Sequence, residues 1–446
     1  MTRIKPRILK GFRDYLPETM IPRERMLRTI AEVFELHGFS PLATPAIEYS
    51  EILLGKYGEE GNKLLYRFED NGGRDVCLRY DLTVPLARVV AQYAELPRIF
   101  KRYQIAPVWR AENPGKGRFR EFVQCDVDIV GCQEAIADAA CIEVGAAALK
   151  KLGVERFVIR INHRALLGGI LKEVGVSDPD RMVEIMRVID KLEKIGEGKV
   201  RELLTPLLPA EGIDRLFELF TRQGPPQEIL EEVGRFSENQ ETREGVAALE
   251  ALFSHLTAMK LCDVTTIDLS IARGLDYYSG AVFETTLLDR PDFGSVMSGG
   301  RYDELIGIFC GRQIPAVGIS IGVDRLFAAL NDLGLLPRRP SVAELLVTCF
   351  DADRLSASIE YATLLRRLGI PTEIYPRAEK LAKQFKYANK QRIPYVAVVG
   401  PEEVAGASIR IKEMGSGEER TLPLKTLEEK LQGGGTTLAA LFSKTT

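Results

Sequence analysis

A predicted hairpin at residues 101–131 carries basic, amide and acidic side chains in a pattern that suits a charged ligand. Strand alternation gives its second strand one polar face, formed by Phe122, Gln124, Asp126 and Asp128. The first strand and the loop "ENPGKGR" contribute Gln104, Arg110, Lys116, Arg118 and Arg120. A guanidinium fork binds two phosphate oxygens, whereas a carboxylate such as Asp128 suits a ligand ammonium. A half-solvated hairpin has a polar outer face as well, so the pattern leaves both interpretations open.

The segment "LRYDLTVP" at residues 78–85 offers a second pair of polar groups. Read as a strand, it places Asp81 and Thr83 on one face, where they could hold an amine. The alternative is helix capping, because Asp81 precedes an apolar helical run and Asp is a common N-cap residue. Taken alone, the segment favours capping.

Glycine clusters mark two further segments, 298–309 and 314–330. Gly299 and Gly300 predict a tight turn, and glycines 318 and 322 leave bare backbone on one face of a strand. A planar base could approach such a backbone, and Arg325 at the start of the next helix could stack on the base or bind its phosphates. Close strand–helix packing explains the same glycines without any ligand.

The ten residues "IARGLDYYSG", 271–280, join two predicted strands. Arg273, Tyr277 and Tyr278 stand in this connection. The segment is either an ordinary turn with packed aromatic rings or the wall of a binding pocket, and its composition fits both.

The elements around these segments predict a mixed architecture. The first predicted elements are a helix over 20–38, strands between 74 and 131, a helix over 133–152 and a strand at 155–162. A long helical stretch at 164–260 follows them. Strand signals return at 263–322, followed by a helix and a proline-rich linker at 335–341. Beyond the linker, strands and helices alternate, which predicts a small α/β domain with a largely parallel sheet. We expect residues 433–446 to be weakly ordered.

One predicted helix of the last domain has a basic face. Lys383, Lys386 and Lys390 share it by helical periodicity, and Tyr375 and Tyr387 lie nearby. A basic helix with aromatic neighbours fits RNA contact, although a solvated lysine face gives the same pattern.

Composition narrows the class of protein. The formal net charge of the 446 residues is -3, which does not indicate a nucleic-acid binder but can conceal local patches. Seven cysteines, with no C-x-x-C pair and no secretory signal, predict reduced thiols and a cytoplasmic location. No apolar run is long enough to span a membrane. Only three histidines occur, far apart in sequence, and they argue against a histidine-rich metal site.

Together the motifs resemble those of the class II aminoacyl-tRNA synthetases, and specifically of the histidyl-tRNA synthetase family. "GFSPLATPAIE" resembles the first class II motif, with Pro45 as its signature proline, and "VWRAENPGKGRFREF" resembles the second, with Arg110 and Glu112. "AVGISIGVDRL" resembles the third, with Arg325. "ARGLDYYSGAVFE" and "SGGRYDELI" are similar to the two histidine-specific motifs of the family.

The resemblance implies a role for each matching position. The amino group of histidine would be held by Asp81 and Thr83 together with Gln124 and Asp128, and Tyr277 and Tyr278 would face the imidazole. Both aspartates stand where many members carry Glu. The ATP-binding residues would be Arg110, Glu112, Arg118, Phe122 and Arg325, with Arg110 also touching histidine. Arg273 would approach the α-phosphate and the amino acid, and Mg²⁺ would arrive with ATP and be held partly by Glu112. Arg110, Arg273 and Arg325 would be the catalytic set.

The resemblance also implies the fold and the partners. It predicts an α+β catalytic domain with a mixed, mainly antiparallel sheet over 1–163 and 261–334. A helical insertion at 164–260 and a small α/β anticodon-binding domain at 342–428 would follow. The expected partners are tRNA(His), L-histidine and ATP, in a homodimer without membrane contact and without a tightly bound cofactor.

Some relatives of this family have one of two other functions, which are the alternatives for this chain. Some serve as regulatory subunits of ATP phosphoribosyltransferase; they usually lack the anticodon-binding domain and depart from "RGLDYY", whereas this chain has both. Others are sensor domains of much longer kinases that lose catalytic residues. Arg110, Arg273 and Arg325 all stand here, which favours the enzyme.

Overall fold

The computed structural model describes residues 4–56, 61–115, 117–272, 277–336, 339–431 and 437–442. Its internal contacts divide the chain into two units. The first comprises Met1–Arg13 and Met26–Leu335, and the second comprises Asp14–Arg25 and Leu336–Thr446.

Eleven strands lie in the described part of the first unit. In chain order they are β1 (Ser40–Pro41), β2 (Ile47–Tyr49), β3 (Arg67–Glu69), β4 (Asp75–Leu78), β5 (Phe100–Trp109), β6 (Glu121–Val130), β7 (Phe157–His163), β8 (Thr265–Ile267), β9 (Ala281–Leu287), β10 (Ser295–Arg301) and β11 (Ala316–Gly322). Eight of them form one sheet in the order β1-β5-β6-β11-β10-β9-β7-β8, and the other three form a small sheet, β2-β4-β3.

The large sheet confirms the predicted mixed, mainly antiparallel arrangement. Only its two outer pairs, β1 with β5 and β7 with β8, are parallel. Alternation along β6 is as expected: Cys125, Val127 and Ile129 are buried in the core on one face. The polar set beginning at Phe122 faces the other way, toward a cavity. The sheet therefore offers one apolar face for packing and one face for ligands.

The described helices between residues 17 and 332 are α1 (Pro17–Leu36), whose residues up to Arg25 belong to the second unit, α2 (Ser50–Leu53), α3 (Thr83–Gln92), α4 (Ala135–Lys151), α5 (Arg164–Glu173), α6 (Pro179–Ile189), α7 (Leu192–Ile195), α8 (Glu197–Leu204), α9 (Ala210–Phe220), α10 (Pro226–Phe236), α11 (Gln240–Ala258), α12 (Gly307–Cys310) and α13 (Val323–Asp332). Short 3₁₀ turns occur at Cys262–Val264 and Pro291–Phe293.

The stretch 164–260 folds as α5–α11, in agreement with its predicted helical character. Local capping defines several of these ends. Asp178 accepts a hydrogen bond from the backbone N–H of Asp180 at the start of α6, and Asn239 accepts from that of Thr242 at the start of α11. Where the domain boundaries lie stays a prediction.

Two local expectations for the first unit are wrong. Residues 299 and 300 lie within β10 and not in a turn, because they pair with β9 and β11 on either side. Asp81 and Thr83 do not alternate along a strand, since Thr83 is the first residue of α3. The apolar residues that follow Asp81 have helical spacing, and the helix begins at Thr83 although the residues before it have a strand-like pattern.

The second unit is a small α/β fold. Its strands are β12 (Leu345–Val347), β13 (Thr372–Ile374), β14 (Tyr395–Val398), β15 (Ser408–Glu413) and β16 (Glu419–Pro423), and its helices are α14 (Leu355–Arg367), α15 (Leu381–Lys390), α16 (Pro401–Ala405), α17 (Leu424–Leu431) and α18 (Leu438–Phe442). The sheet order is β13-β12-β14-β15-β16.

Two expectations for this unit need correction. The sheet is half parallel, because β15 and β16 add to it in the antiparallel direction. The described part of the C-terminal segment is helical, since Leu438, Leu441 and Phe442 bury their side chains in the core. The ring of Phe442 stacks on Tyr395 with centroids 5.4 Å apart.

All seven cysteines lie in the described part of the chain, and none is in a disulfide. Among the described helices, none is long and apolar enough to cross a bilayer.

Candidate active site

A single cavity of about 1120 Å³ lies on the polar face of the large sheet. It brings together the side chains that were predicted from separate segments of the sequence: Asp81, Thr83, Arg110, Glu112, Arg118, Phe122, Gln124, Asp128, Tyr277, Tyr278 and Arg325. Arg273 and Lys116 fall outside the described residues. Segments some 240 residues apart in the chain thus line the same cavity.

Asp128 is fixed on the floor of the cavity by three neighbours. Its Oδ2 lies 2.6 Å from Nη2 of Arg102, a side chain with no exposed surface, and the hydroxyl of Tyr302 donates to Oδ1. The side chain crosses the backbone of Gly318 on β11, where a Cβ atom would lie 2.0 Å from Oδ1. Burial raises the pKa of Asp128, while Arg102 and Tyr302 oppose that rise. The site therefore requires glycine at 318.

Gln124 and Asp126 continue the same face of β6. Gln124 donates from Nε2 to Oγ of Ser320 at 2.8 Å, which leaves its Oε1 without a hydrogen-bond partner among the described residues. Burial raises the pKa of Asp126 to about 7, although Arg102 acts in the opposite direction. These side chains present acceptor atoms to the cavity.

Asp81 combines the two roles that the sequence left open. Its Oδ1 accepts a hydrogen bond from the backbone N–H of Val84 at 3.1 Å, as a residue at the start of a helix does. The side chain also lines the cavity beside Thr83, the first residue of α3. Capping thus holds a buried carboxylate in place at the edge of the ligand space.

Aromatic rings form part of the cavity wall and pack against a buried hydrophobic cluster of the first unit. Tyr277 and Tyr278 meet edge to face with ring centroids 4.7 Å apart, and Tyr277 lies 6.2 Å from the ring of Tyr302. Burial raises the pKa of both Tyr277 and Tyr278, so their hydroxyls stay protonated. Neutral hydroxyls can either donate to or accept from a ligand ring.

Arg110 is held between two rings. Its guanidinium carbon lies 4.3 Å from the centroid of Tyr80 and 5.0 Å from that of Phe122, and Nε donates to the Tyr80 carbonyl at 3.1 Å. Glu112 lines the cavity close by, with Oε2 3.9 Å from Nη1 of Arg118. Oxygen ligands of this kind suit Mg²⁺. In the described residues there is no group of three or more His, Cys, Asp or Glu side chains placed to hold a metal.

Arg325 lies at the start of α13, as predicted. Nη1 donates to the Ser295 carbonyl. The preceding residue, Asp324, accepts from the backbone N–H of Val123 at 3.2 Å and forms an ion pair with Arg13 at 2.5 Å. These contacts tie the helix start to β6 and β10.

Several residues of the site were not predicted. Arg102, which is fully buried and pairs with Asp128, could have been found, because period two on β5 places it on the face of Gln104. The insertion contributes Arg187, Asp190, Lys191 and Lys194, from the end of α6 to α7. Nothing in their local pattern distinguishes them from an ordinary solvated helix.

In the second unit, Lys383, Lys386 and Lys390 are exposed on α15, and Lys383 lies 3.6 Å from Glu379. The expectation that the nearby tyrosines add exposed aromatic rings to this lysine face is wrong. Tyr375 is buried and donates to Glu379, and Tyr387 donates to Glu373 at 2.5 Å. The lysine face is thus basic, and the hydroxyls of its aromatic neighbours are hydrogen-bonded to acidic side chains.

Comparison with known proteins gives matches along most of the chain. The model of the Histidyl-tRNA synthetase family matches residues 11–326, and that of the Anticodon binding domain matches residues 346–433. Histidine–tRNA ligase of Rhodopirellula baltica is 43% identical over 422 residues, covering 94% of this chain and 95% of the relative.

Solved structures agree with these matches. The crystal structure of histidyl-tRNA synthetase from Nostoc sp. PCC 7120 superposes with a TM-score of 0.87 at 32% identity, covering 97% of this chain and 100% of that one. A Bacillus halodurans structure described as an ATP phosphoribosyltransferase regulatory subunit/histidyl-tRNA synthetase gives a TM-score of 0.75 at 25% identity, covering 87% and 98%.

Proposed function

Because the chain belongs to the histidyl-tRNA synthetase family, we propose that it is a class II histidine–tRNA ligase. It activates L-histidine with ATP and then passes the histidyl group to the 3′ end of tRNA(His). One observation carries the proposal at the level of residues: a single cavity collects arginines that suit phosphates and buried carboxylates and tyrosines that suit the amino acid.

The amino-acid part of the site lies on β6 and the start of α3. Asp81 and Thr83, with Gln124 and Asp128, hold the substrate ammonium, and Tyr277 and Tyr278 face the imidazole. The support is the concentration of acceptor atoms and negative charge there, with Gln124 Oε1 facing the cavity without a partner among the described residues. An ammonium group gains charge-assisted hydrogen bonds in such surroundings.

The nucleotide part uses the basic and aromatic side chains. Arg110 and Arg325 bind phosphates, Arg118 adds positive charge, and Phe122 supplies a ring on which adenine can stack. The stack of Arg110 on Phe122 supports this arrangement, because it fixes the guanidinium within the cavity. Mg²⁺ enters with ATP as part of the substrate, and Glu112 is the side chain that would hold it there.

The reaction then proceeds in two steps. A carboxylate oxygen of histidine attacks the α-phosphorus, the bond from that phosphorus to the bridging oxygen breaks, and pyrophosphate leaves. The 3′-hydroxyl of the terminal adenosine next attacks the carbonyl carbon of histidyl-adenylate, and AMP leaves. Neither step needs a protein nucleophile, so catalysis consists of alignment and of charge stabilisation by Arg110, Arg273 and Arg325.

The proposal includes a homodimer and a cytoplasmic location. An apolar row on the small sheet supports dimer formation: Ile47, Tyr49 and Phe68 are each between 42% and 50% exposed. Tyr49 and Phe68 are both paired with Val76 on β4, so their side chains share a face. A second copy would bury this row. The exposed lysines of α15 are the proposed contact to tRNA(His).

The test is histidine-dependent exchange of pyrophosphate into ATP, followed by charging of tRNA(His) by the same preparation. We expect exchange with histidine and no exchange with the other standard amino acids. A folded protein that shows neither reaction but stimulates ATP phosphoribosyltransferase would contradict the proposal and favour the regulatory function.

A further inference from the structure

The N-terminal segment 9–13 contacts the loop that connects β5 to β6, although it belongs to no strand or helix. The backbone N–H of Arg120 donates to the Gly11 carbonyl at 2.8 Å, and Nη1 of Arg120 donates to the Lys10 carbonyl at 3.4 Å. The ring of Phe12 meets that of Tyr66 edge to face, with centroids 6.2 Å apart. Backbone and ring contacts thus fix the segment against the first unit.

Gly11 is required for this contact. Its φ is +87°, and a Cβ atom there would lie 2.7 Å from Cγ of Arg120. Arg120 in turn donates from Nε to the carbonyl of Glu112 at 3.0 Å. The segment therefore meets the same loop that carries Glu112, whose side chain is proposed to hold Mg²⁺.

Arg13 reaches two residues that line the cavity. Its guanidinium carbon lies 3.8 Å from the ring centroid of Phe119, and Nη2 lies 2.5 Å from Oδ1 of Asp324. Oδ2 of the same carboxylate accepts from the backbone N–H of Val123 at 3.2 Å. Phe119 and Asp324 are lining residues of the cavity, whereas Arg13 is not.

The Asp324 carboxylate connects two sides of the nucleotide part of the site. Val123 follows Phe122, the ring proposed for adenine, and Asp324 precedes Arg325, which is proposed to bind phosphate. The Asp324 side chain is only 3% exposed, and a carboxylate so buried is costly unless a cation compensates its charge. Arg13 supplies this cation. Its removal should displace the carboxylate and, with it, the backbone at Val123 and the start of α13.

We propose that Arg13 is a positioning residue for ATP. Acting through Asp324, it keeps the ring of Phe122 and the guanidinium of Arg325 in the arrangement that the nucleotide requires. The inference rests on the proposed function and adds to it a residue outside the cavity. A displacement of about 1 Å is enough to weaken a reaction strongly, so a residue that touches no substrate can still govern the use of ATP.

Arg13→Met tests the proposal in the full-length protein. Methionine keeps part of the aliphatic bulk but leaves Asp324 without the cation. We expect the dissociation constant for α,β-methylene-ATP with Mg²⁺, measured by calorimetry, to rise about 5- to 20-fold, and the KM for ATP in pyrophosphate exchange to rise similarly. The dissociation constant for histidine should change less than about twofold. Unchanged nucleotide affinity, or equal weakening of both ligands, overturns the inference.

Arg13→Lys decides the question if the methionine variant does not fold. Lysine keeps the charge but lacks the planar fork, so its affinity for α,β-methylene-ATP should be at least about twofold below that of the wild-type protein, with histidine binding unchanged. Where Arg13→Met folds, the affinity of Arg13→Lys should lie between the other two. A lysine variant that binds both ligands normally, beside a methionine variant that does not fold, would show that Arg13 serves stability alone.

Asp324→Asn shows whether Arg13 acts through this carboxylate. In that background the charge that Arg13 compensates is absent, so Arg13→Met should weaken binding of the analogue at least about threefold less than it does in the wild-type protein. An undiminished effect would contradict the route through Asp324.

Arg7→Met is the matched control, because Arg7 is an exposed arginine of the same N-terminal stretch. We expect it to bind the analogue and histidine as the wild-type protein does; a loss of nucleotide affinity equal to that of Arg13→Met would assign the effect to net charge and overturn the inference. If the wild-type protein shows no histidine-dependent exchange, the proposed function fails. If it does, and Arg13→Met binds the analogue normally, only this inference fails.

Discussion

Arg102 and Asp128 form an ion pair inside the large sheet. Nη2 and Oδ2 are 2.6 Å apart, and the two side chains are 0% and 4% exposed. They face each other across β5 and β6, and Arg102 also donates to the Leu82 carbonyl at 3.1 Å, just before α3. One buried guanidinium thus links the floor of the cavity to the segment that carries Asp81.

Replacing this arginine should therefore destabilise the protein as well as the site. Arg102→Met removes the positive charge and leaves Asp128 buried without it, which costs about 3–5 kcal/mol. Urea unfolding at neutral pH measures the loss. Arg67→Met, which breaks the exposed pair with Asp75, serves as the control and should change the midpoint little. Equal midpoints for the two variants would contradict the importance of the buried pair.

Much of the fold could be predicted, because strand alternation and helical periodicity are local signals. The two faces of β6 are an example: Val127 is in the core and Asp128 in the cavity. Gly299 and Gly300 were misjudged because consecutive glycines usually mark turns. At Gly300 a Cβ would lie 3.0 Å from the ring of Tyr278, so the glycine serves tertiary packing and not a turn.

The site could be assembled only in part. The resemblance to a known family connected segments that are distant in sequence, and the cavity does bring their described residues together. Strand alternation on β5 indicates the face of Arg102, but it does not show that Arg102 pairs with Asp128 or that Tyr302, just after β10, donates to the same carboxylate. Lys191 and Lys194 likewise reach the cavity through the packing of the insertion.

His163 should make the protein sensitive to acid. Its Nδ1 accepts a hydrogen bond from the backbone N–H of Ala165, and burial with the nearby charge of Arg301 lowers its pKa to about 4. Between that value and the ordinary pKa of about 6.5, the unfolded chain binds the proton more readily. The stability that neutral His163 contributes is present above pH 6.5 and is lost as the pH falls toward 4.

His163→Asn keeps an acceptor at this helix start without the titration. We expect the loss of unfolding free energy between pH 7 and pH 4.5 to be smaller than in the wild-type protein by roughly 2–3 kcal/mol. Urea unfolding at both pH values measures it, and His255→Asn controls for the substitution itself. A pH dependence equal to that of the wild-type protein would show that His163 is not the responsible group.

Arg273 is expected to act on the transition state. In the proposed mechanism, which rests on its match to the family motif, Arg273 acts at the α-phosphate, where negative charge increases as the carboxylate attacks. Arg273→Ala should lower kcat for pyrophosphate exchange about 10²- to 10³-fold while the dissociation constant for histidine changes little. Arg290→Ala is the control, because Arg290 pairs with Asp292 and Asp332 away from the cavity. Near-normal exchange by Arg273→Ala would rule out the assigned role.

The lysine face of α15 gives a prediction that separates tRNA binding from activation. Replacing Lys383, Lys386 and Lys390 by alanine should raise the KM for tRNA(His) about tenfold and leave pyrophosphate exchange unchanged, because the proposed site for the amino acid and ATP lies in the first unit. Each lost phosphate contact should also reduce the salt dependence of tRNA binding, by about 0.7–0.9 in the slope of log K against log[salt].

Lys425→Ala with Lys430→Ala is the control for general charge loss, since these exposed lysines lie on α17 of the same unit. We expect this pair to affect the KM for tRNA(His) less than twofold, roughly the effect of long-range screening alone. If the control variant lowers tRNA affinity as much as the triple variant does, the lysines of α15 contribute to tRNA binding only through the net charge of the unit. The lysines of α15 would then be an ordinary solvated face, the alternative that the sequence pattern left open.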